Sequence, residues 1–301
     1  MAVNRPAFLY PGQGSQRAGM IAALPPTSAT RRVLDEASDA LGGLGYLDTA
    51  DGLASTRNAQ LALLICGVAA TRTLDEVYGV RPGVTAGHSA GAFAAAVAAG
   101  VLTFHEALDA VGVRAAAMEA ACAPGEWGMA AVTGMGQRAA GALVAEARAT
   151  VWIANINAAD QVVLGGTVDG LRDARAAARR MGARRFEMLD VAVASHGPVQ
   201  ARTATVIAER LAAVPRRHQS AAYLTNVGAR RIVDDADAVL RDLAESVAKP
   251  VQWYDIAQVL PELGVQRTVE MPPGHVLTSL LAAVPVTATS VDDVGYAAIS
   301  A

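Results

Sequence analysis

Residues 84–100 read VTAGHSAGAFAAAVAAG and place a serine between two glycines, where an apolar run becomes rich in alanine. Residues 83–88 predict a buried strand, and residues 90–100 predict a helix that packs closely on it because alanine side chains are small. A G-x-S-x-G pattern between a strand and a helix is typical of a nucleophile elbow, which exposes its serine, here Ser89, at the end of a sheet. The same residues would also suit a strand-to-helix turn in which the small side chains serve only close packing and the serine has no catalytic role. The flanking sequence has to decide between the two interpretations.

Apolar strands and amphipathic helices alternate on both sides of this turn. The pattern predicts a strand at 7–10, helices at 29–42 and 104–122, and a nearly all-apolar helix at 59–77 that must be central. Alternation of this kind implies a parallel sheet with helices on its faces. The chain is therefore predicted to be an α/β protein.

The composition changes at the segment APGEWG, and the pattern that follows predicts strand, helix, strand, strand, helix and strand, the last at 184–193. This order is that of a split βαβ, or ferredoxin-like, unit. The α/β pattern then resumes and ends on a closing strand at 267–271. We expect an inserted α+β subdomain at 127–195, in a core formed by 1–126 and 196–301.

The bulk properties exclude several classes of function. The chain has 301 residues, is 52% hydrophobic and carries a formal charge of −3, and it contains no basic block with interleaved aromatic residues, so nucleic-acid binding is not expected. Cys66 and Cys122 lack metal-ligand spacing and are predicted to be buried free thiols, with no metal site. Residues 84–102 are apolar, but His88 and the glycines argue against a membrane span. The N-terminal segment has no secretory leader pattern, so a cytoplasmic location is expected.

A serine nucleophile needs a general base, and the chain has five histidines. His88 neighbours the serine but points to the opposite side of an extended strand. His105 begins a helix and His218 lies in a polar loop, and both are expected to be exposed. His196 ends an apolar run at a turn closed by glycine and proline, which is the kind of loop where catalytic groups gather, so we select it as the base. The alternative is a histidine that only caps the turn.

Two backbone N–H groups are candidates for stabilising an oxyanion. The N–H of Ala90 follows the serine at the start of the helix, and that of Gln13 lies in the glycine-rich loop YPGQGSQ after the first strand. This loop lacks the GK[ST] of a P-loop and the G-x-G-x-x-G register. Nucleotide binding by the loop is therefore not expected.

Seven segments of the chain carry a resemblance to a known family. They are FLYPGQGSQRAGM, GHSAGAFAAAVAAGVL, VGVRAAAMEAA, NINAADQVVLGG, VASH, KPVQWYDI and VEMPPGHVLTSLL. In order and spacing they resemble the malonyl-CoA:acyl-carrier-protein transacylases. The resemblance implies an α/β-hydrolase-like core with a parallel sheet and a ferredoxin-like insertion.

The same resemblance implies a set of catalytic roles. Ser89 is acylated, His196 is its base, and the N–H groups of Gln13 and Ala90 form the oxyanion hole. A main-chain carbonyl rather than an acid orients the histidine, and the matching position is Ser246. Because a backbone group makes that contact, the identity of the side chain there should matter little.

Arg114 also acquires a role from the resemblance. The free carboxylate of a malonyl group, buried in a closed pocket, needs a paired cation, and a guanidinium can bind both of its oxygens. Arg114 would then select malonyl over acetyl, although the sequence alone suggests only a charge on a helix surface. Gln60 matches a pocket-lining glutamine, and Asn155 and Asn157 match a pair without a defined role.

The implied reaction moves malonyl from malonyl-CoA to the phosphopantetheine-type thiol of an acyl carrier protein through a malonyl-serine intermediate, with no permanently bound cofactor. The elbow reads GHSAGAF where fatty-acid transacylases usually have GHSLGE, and a late turn reads EMPPGHVL. These departures are more similar to the transacylase (epsilon) subunit of malonate decarboxylase. The expected partners are then the decarboxylase carrier subunit and other decarboxylase subunits; the alternative is fatty-acid or polyketide synthesis.

Two other classes of function stay open. A serine hydrolase would share the elbow and the histidine but should carry a buried acid near His196. A non-enzymatic scaffold for a carrier is the second, and the elbow glycines argue against it. The arginine cluster at 178–187 is either a surface for an acidic carrier or a solvated charged face.

Overall fold

The computed structural model describes residues 5–147 and 149–300 of the chain. In this part of the chain the strands form two sheets, one of six strands and one of four. The strands are β1 (Ala7–Tyr10), β2 (Val84–Gly87), β3 (Trp127–Thr133), β4 (Val151–Ala158), β5 (Gln161–Thr167), β6 (Arg185–Met188), β7 (Ala222–Leu224), β8 (Arg231–Ile232), β9 (Arg267–Glu270) and β10 (Thr287–Ser290).

Helices cover both sheets and connect their strands. They are α1 (Ser28–Leu41), α2 (Ala50–Leu53), α3 (Thr56–Tyr78), α4 (Gly91–Ala98), α5 (Phe104–Ala121), α6 (Gln137–Glu146), α7 (Val168–Arg180), α8 (Ala201–Ala212), α9 (Ala236–Glu245), α10 (Trp253–Glu262), α11 (Val276–Leu280), α12 (Val291–Val294) and α13 (Tyr296–Ser300). Helix α3 is buried along most of its length and packs against α1, α4 and α5, as its apolar sequence predicts. None of the described helices is long and apolar enough to cross a membrane.

The larger sheet has the strand order β10-β9-β1-β2-β7-β8. All neighbours are parallel except β7 and β8, and β1 pairs with β2 so that Tyr10 lies beside Gly87. The predicted α/β class is therefore confirmed. The predicted closing strand at 267–271 is not at the edge, because β10 lies outside it. Strands β8 and β10 were not predicted, since RI and TATS are not apolar runs.

The smaller sheet is antiparallel, with the order β4-β5-β3-β6, and α6 and α7 cover one of its faces. Ala130 and Leu164 point towards those helices, whereas Met129 and Val163 point towards the core of the larger unit. The predicted ferredoxin-like insertion is confirmed as an element of the fold. The strand predicted at 184–193 is too long: β6 spans Arg185–Met188, and beyond it only the N–H of Leu189 still donates to β3 among the described residues, to the carbonyl of Met129 at 2.9 Å.

Strand β4 joins the insertion to the core by main-chain hydrogen bonds. The N–H of Ile156 donates to the carbonyl of Val251 at 2.9 Å, and the N–H of Val251 donates to the carbonyl of Ala154 at 2.9 Å. From the same strand, the indole N–H of Trp152 donates to the carbonyl of Ser195 at 3.0 Å. The insertion is thus bonded to the core at Val251, and β4 also holds Ser195, the last residue of the insertion, next to the site described below.

Candidate active site

Ser89 lies at a sharp turn between β2 and α4, and the turn requires small neighbours. Its φ is +53°, a left-handed conformation that is unfavourable for a residue with a side chain. A Cβ at Gly87 would lie 2.2 Å from the carbonyl carbon of Gly91, and one at Gly91 would lie 2.2 Å from the carbonyl oxygen of Tyr10. The two glycines therefore allow α4 to start directly against β2 and the end of β1.

His196 lies beside this serine although the two residues are far apart in sequence. The distance between Ser89 Oγ and His196 Nε2 is 2.7 Å, and His196 Nδ1 is 2.6 Å from the main-chain carbonyl oxygen of Ser246. A carbonyl only accepts, so Nδ1 carries the proton and the Ser89 hydroxyl donates to the free Nε2. The pair is a Ser–His dyad in which the histidine is oriented by a backbone group.

The loop that carries His196 is tightly constrained. His196 has a φ of +58°, and its N–H donates to the carbonyl of Val247 at 2.7 Å. A Cβ on the following residue, Gly197, would lie 2.1 Å from the Trp152 indole nitrogen, so this position needs glycine. Burial lowers the pKa of His196 to about 3, and the nearby charge of Arg114 acts in the same direction. The imidazole is therefore neutral at pH 7 and available as a base.

Arg114 lies beneath the serine and is 1% exposed. Its Nη2 donates to Ser89 Oγ at 3.2 Å, and its Nη1 donates to Gln60 Oε1 at 2.7 Å. Gln60 Nε2 in turn donates to Gln13 Oε1 at 3.1 Å. The sequence alone suggested a surface charge for Arg114, and the structure buries it because α5 turns that face towards α3.

The charge of Arg114 is not balanced locally. Among the residues that the structure describes, no carboxylate lies within ion-pair distance of the guanidinium, and its Nε has no hydrogen-bond partner. Burial lowers its pKa to about 10, so it is still a cation at pH 7. A buried and unpaired guanidinium next to a serine nucleophile is suited to binding a carboxylate of a substrate.

The two predicted oxyanion donors flank the serine. Within residues 5–147 and 149–300, neither the N–H of Gln13 nor that of Ala90 donates a hydrogen bond. The N–H of Ser89 itself is occupied, because it donates to Asn226 Oδ1 at 2.9 Å. Both Gln13 and Ser89 line the same cavity.

That cavity lies between the core and the insertion and has a volume of about 70 Å³. The core contributes Gln60 and Met118, and the insertion contributes Met129, Val163 and Leu189. A cavity measured in this way needs only about 10–15 Å³ to hold one water molecule, so this space holds a group of several heavy atoms. The arginines of α7 lie on the opposite face of the smaller sheet, so they do not face the cavity.

His88 was predicted to point to the opposite side of the strand from the serine, but it lines the same cavity as Ser89 and His196, because the chain leaves the extended conformation at Ser89. Its Nε2 is 3.0 Å from Asn157 Oδ1 and 3.4 Å from Asn155 Nδ2, and burial lowers its pKa. The predicted asparagine pair therefore holds a neutral His88 rather than the catalytic histidine. His105 and His218 are exposed and take no part in the site.

Asn226 was missed by sequence reasoning, although it contacts the elbow directly through the bond to the Ser89 N–H. The only signal in the sequence is its position at the end of the short apolar stretch AAYLTN. The carboxyl ends of parallel strands meet at one edge of a sheet, so a polar residue after β7 falls next to the end of β2.

Comparison with known proteins agrees with this geometry. The model of the family described as acyl transferase domain matches residues 7–300. The chain belongs to the acyl transferase family.

Several members of the acyl transferase family are similar along most of their length. The malonyl CoA-acyl carrier protein transacylase of Bacillus subtilis (strain 168) is 34% identical over 287 residues, which cover 93% of this chain and 90% of that protein. The crystal structure of an acyl-carrier-protein S-malonyltransferase from Burkholderia pseudomallei 1710b is 34% identical, with a TM-score of 0.93 and coverage of 98% of this chain and 99% of that one.

A third acyl transferase was solved with a partner. This malonyl-transacylase, in complex with its type II polyketide synthase acyl carrier protein, is 30% identical, with a TM-score of 0.92 and 98% coverage of both chains. The similarity therefore extends over both the core and the insertion.

Proposed function

We propose that this chain is a malonyl-CoA:acyl-carrier-protein S-malonyltransferase that works through a malonyl ester of Ser89. The observation that carries the proposal is the buried guanidinium of Arg114, which has no carboxylate partner in the described part of the chain and lies 3.2 Å from Ser89 Oγ. A malonyl group brings a free carboxylate to that position, whereas an acetyl group does not. The names of the relatives support the same substrate and acceptor.

In the first half-reaction, Ser89 Oγ attacks the thioester carbonyl of malonyl-CoA while His196 Nε2 takes its proton. The N–H groups of Gln13 and Ala90 hold the oxyanion of the tetrahedral intermediate. The carbon–sulfur bond then breaks, and His196 returns the proton to the CoA sulfur. The carboxylate binds Arg114 in place of the Gln60 amide oxygen.

In the second half-reaction the carrier thiol reverses these steps. It attacks the Ser89 ester, gives its proton to His196 and leaves as the malonyl thioester, while Ser89 recovers its proton. Among the residues that the structure describes, His196 Nδ1 donates to the Ser246 carbonyl and no carboxylate bonds to the ring, so no carboxylate there stabilises the imidazolium. A dyad of this kind suits transfer to a thiol better than hydrolysis by water.

We propose a carrier of fatty-acid or polyketide synthesis as the acceptor. A relative with a TM-score of 0.92 was solved with a type II polyketide synthase carrier, and the relatives named above are carrier protein transacylases. The expected malonate decarboxylase role, with its own carrier and partner subunits, gains no support from these comparisons. Transfer rates to a phosphopantetheinyl carrier and to a dephospho-CoA-type carrier would separate the two roles, and a clear preference for the second would revive the decarboxylase role.

Labelling tests the covalent step. The chain is incubated with radiolabelled malonyl-CoA, and protein-bound label is measured for the wild type, for Ser89→Ala and for Ser220→Ala, an exposed serine that serves as control. We expect label on the wild type and on the control but not on Ser89→Ala. Retention of label by Ser89→Ala would refute the ester intermediate.

The lifetime of the malonyl-enzyme separates transfer from hydrolysis. Mass spectrometry without a carrier should find the ester persisting in water, and the addition of carrier should remove it. Rapid loss of the ester in water alone would favour a serine hydrolase.

We also propose that the two parts of the fold divide the work. Residues 1–126 and 196–301 carry the dyad and Arg114, and residues 127–195 close the cavity over them. The support for this division is that the insertion contributes apolar cavity walls such as Met129 and Val163.

A further inference from the structure

We propose that Asn226 is a positioning residue that holds Ser89 in its reactive conformation, and that Asp242 holds Asn226 in place. This inference rests on the proposed role of Ser89 as the nucleophile. Neither Asn226 nor Asp242 lines the cavity around Ser89. Both therefore act through the backbone of the turn rather than on the substrate.

One side-chain amide spans the elbow. Asn226 is fully buried; its Oδ1 accepts from the N–H of Ser89 at 2.9 Å, and its Nδ2 donates to the carbonyl of Gly87 at 2.9 Å. The two bonds join the end of β2 to the residue at the apex of the turn. Because an amide has one donor side and one acceptor side, a single planar group fixes the distance between these two backbone positions.

This bridge lies at a strained position of the backbone. Ser89 has a φ of +53°, and a residue with a Cβ adopts that region only where its surroundings enforce it. In a relaxed turn the Ser89 Oγ would leave the line to His196 Nε2, which is 2.7 Å away in the structure. Asn226 thus supports the geometry that the proton transfer requires.

Asn226 also affects which backbone N–H groups near the serine are available to bind the oxyanion. It occupies the N–H of Ser89, whereas the N–H groups of Gln13 and Ala90 near the serine have no hydrogen-bond partner among the described residues.

Asp242 holds the segment that carries Asn226. Its Oδ2 accepts from the N–H of Asn226 at 3.0 Å and from the Tyr223 hydroxyl at 2.8 Å, and its Oδ1 accepts from the N–H of Val227 at 2.9 Å. The carbonyl of Asn226 accepts from the N–H of Gln252 at 2.9 Å. The backbone N–H and carbonyl of Asn226 are therefore both hydrogen-bonded. These bonds fix the position of its backbone, and hence the position from which its side chain extends to the elbow.

The test measures acylation, binding and stability separately. The variants are Asn226→Ala, which removes both bonds, and Asn226→Asp, which keeps the shape and the acceptor but loses the donor to Gly87. Thr225→Val is the matched control, because the Thr225 hydroxyl bonds only within its own turn, to Val227 and Arg230. The rate of malonyl-Ser89 formation at saturating malonyl-CoA is measured by rapid quench and mass spectrometry, and Tm is measured alongside. Binding of malonyl-CoA is measured in a Ser89→Ala background.

We expect Asn226→Ala to slow acylation by about 10- to 100-fold per folded molecule, because a small misplacement of a nucleophile has an effect of that size. The affinity for malonyl-CoA should stay within about twofold, because Asn226 does not touch the cavity. Thr225→Val should lower Tm without changing the acylation rate.

Asn226→Asp gives a second readout if the alanine variant does not fold. A protonated carboxyl again has a donor and an acceptor, so acylation by this variant should recover as the pH is lowered from about 8 to about 5. The titratable and charged groups around the bridge are Asp242 and Tyr223 beside Asn226, and His88, His196 and Arg114 near Ser89. The wild-type profile measured in parallel accounts for them.

Three results would overturn the proposal. They are an acylation rate of Asn226→Ala within about twofold of the wild type, a loss of affinity as large as the loss of rate, or no recovery of Asn226→Asp at low pH. If the wild type itself forms no malonyl-Ser89, the proposed function fails instead, and the labelling experiment above identifies that case.

Discussion

Replacement of Arg114 by methionine tests the proposed specificity most directly. Methionine has a similar length and no charge, so Arg114→Met would leave the malonyl carboxylate buried without a cation. Removal of one partner from a buried ion pair costs about 3–5 kcal/mol, which corresponds to a loss of about 10²- to 10⁴-fold in kcat/KM for malonyl-CoA. Acetyl-CoA has no carboxylate, so its transfer should be retained or increased.

The stability of the same variant provides an independent readout. In the substrate-free chain the Arg114 guanidinium is buried without a carboxylate partner in the described residues, and only Gln60 and Ser89 accept from it. Replacement of a buried charge by an apolar side chain of similar volume is often neutral or stabilising. We therefore expect the Tm of Arg114→Met to be equal to or higher than that of the wild type, in spite of the lost activity.

The assay compares transfer from malonyl-CoA and from acetyl-CoA to the same carrier. Arg184→Met is the matched control, because Arg184 is an exposed arginine paired with Asp160 on the surface of the insertion. The control should change neither rate. An equal loss of malonyl and acetyl transfer in Arg114→Met would refute the carboxylate-binding role, and a large drop in Tm would refute the argument that the charge is unpaired.

Three further predictions follow from the constraints on His196. Gly197→Ala should lower Tm and abolish acylation, because its Cβ would lie 2.1 Å from the Trp152 indole nitrogen; an unchanged melting curve would contradict this. Because burial lowers the pKa of His196 to about 3, the acylation rate should not fall through protonation of His196 between pH 8 and about pH 5. In Arg114→Met a neighbouring positive charge is gone, so the acidic limb of the pH profile for acetyl transfer should move to higher pH. A shift to lower pH would count against the assignment of His196 as the base. In the unfolded chain His196 binds a proton below about pH 6.5, whereas in the folded chain it does so only below about pH 3, so the free energy of unfolding falls as the pH falls through this window. Urea unfolding at several pH values should therefore show a steeper dependence of the unfolding free energy on pH for the wild type than for His196→Gln. An equal dependence in the two proteins would refute the neutral, buried histidine.

Local sequence was sufficient to predict the α/β class, the strand-to-helix turn at Ser89 and the positions of the long helices. The reason is that these features depend on short-range rules: apolar periodicity defines α3 and α5, and glycines at 87 and 91 are the residues that allow a helix to begin against a strand. The ferredoxin-like insertion could also be predicted, because its order of elements is continuous in the sequence. The turn at the end of an apolar run pointed to His196, whereas only the family resemblance pointed to Arg114.

The tertiary structure decided what no local pattern contains. It brings His196 to Ser89 across 107 positions and to the Ser246 carbonyl across 50, and it buries Arg114 on a helix whose charge alone suggested solvent. It ends β6 at Met188 and adds β8 and β10, whose short polar sequences carry no strand signal. It also places Asn226 on the elbow, because a parallel sheet gathers the ends of its strands at one edge regardless of their separation along the chain.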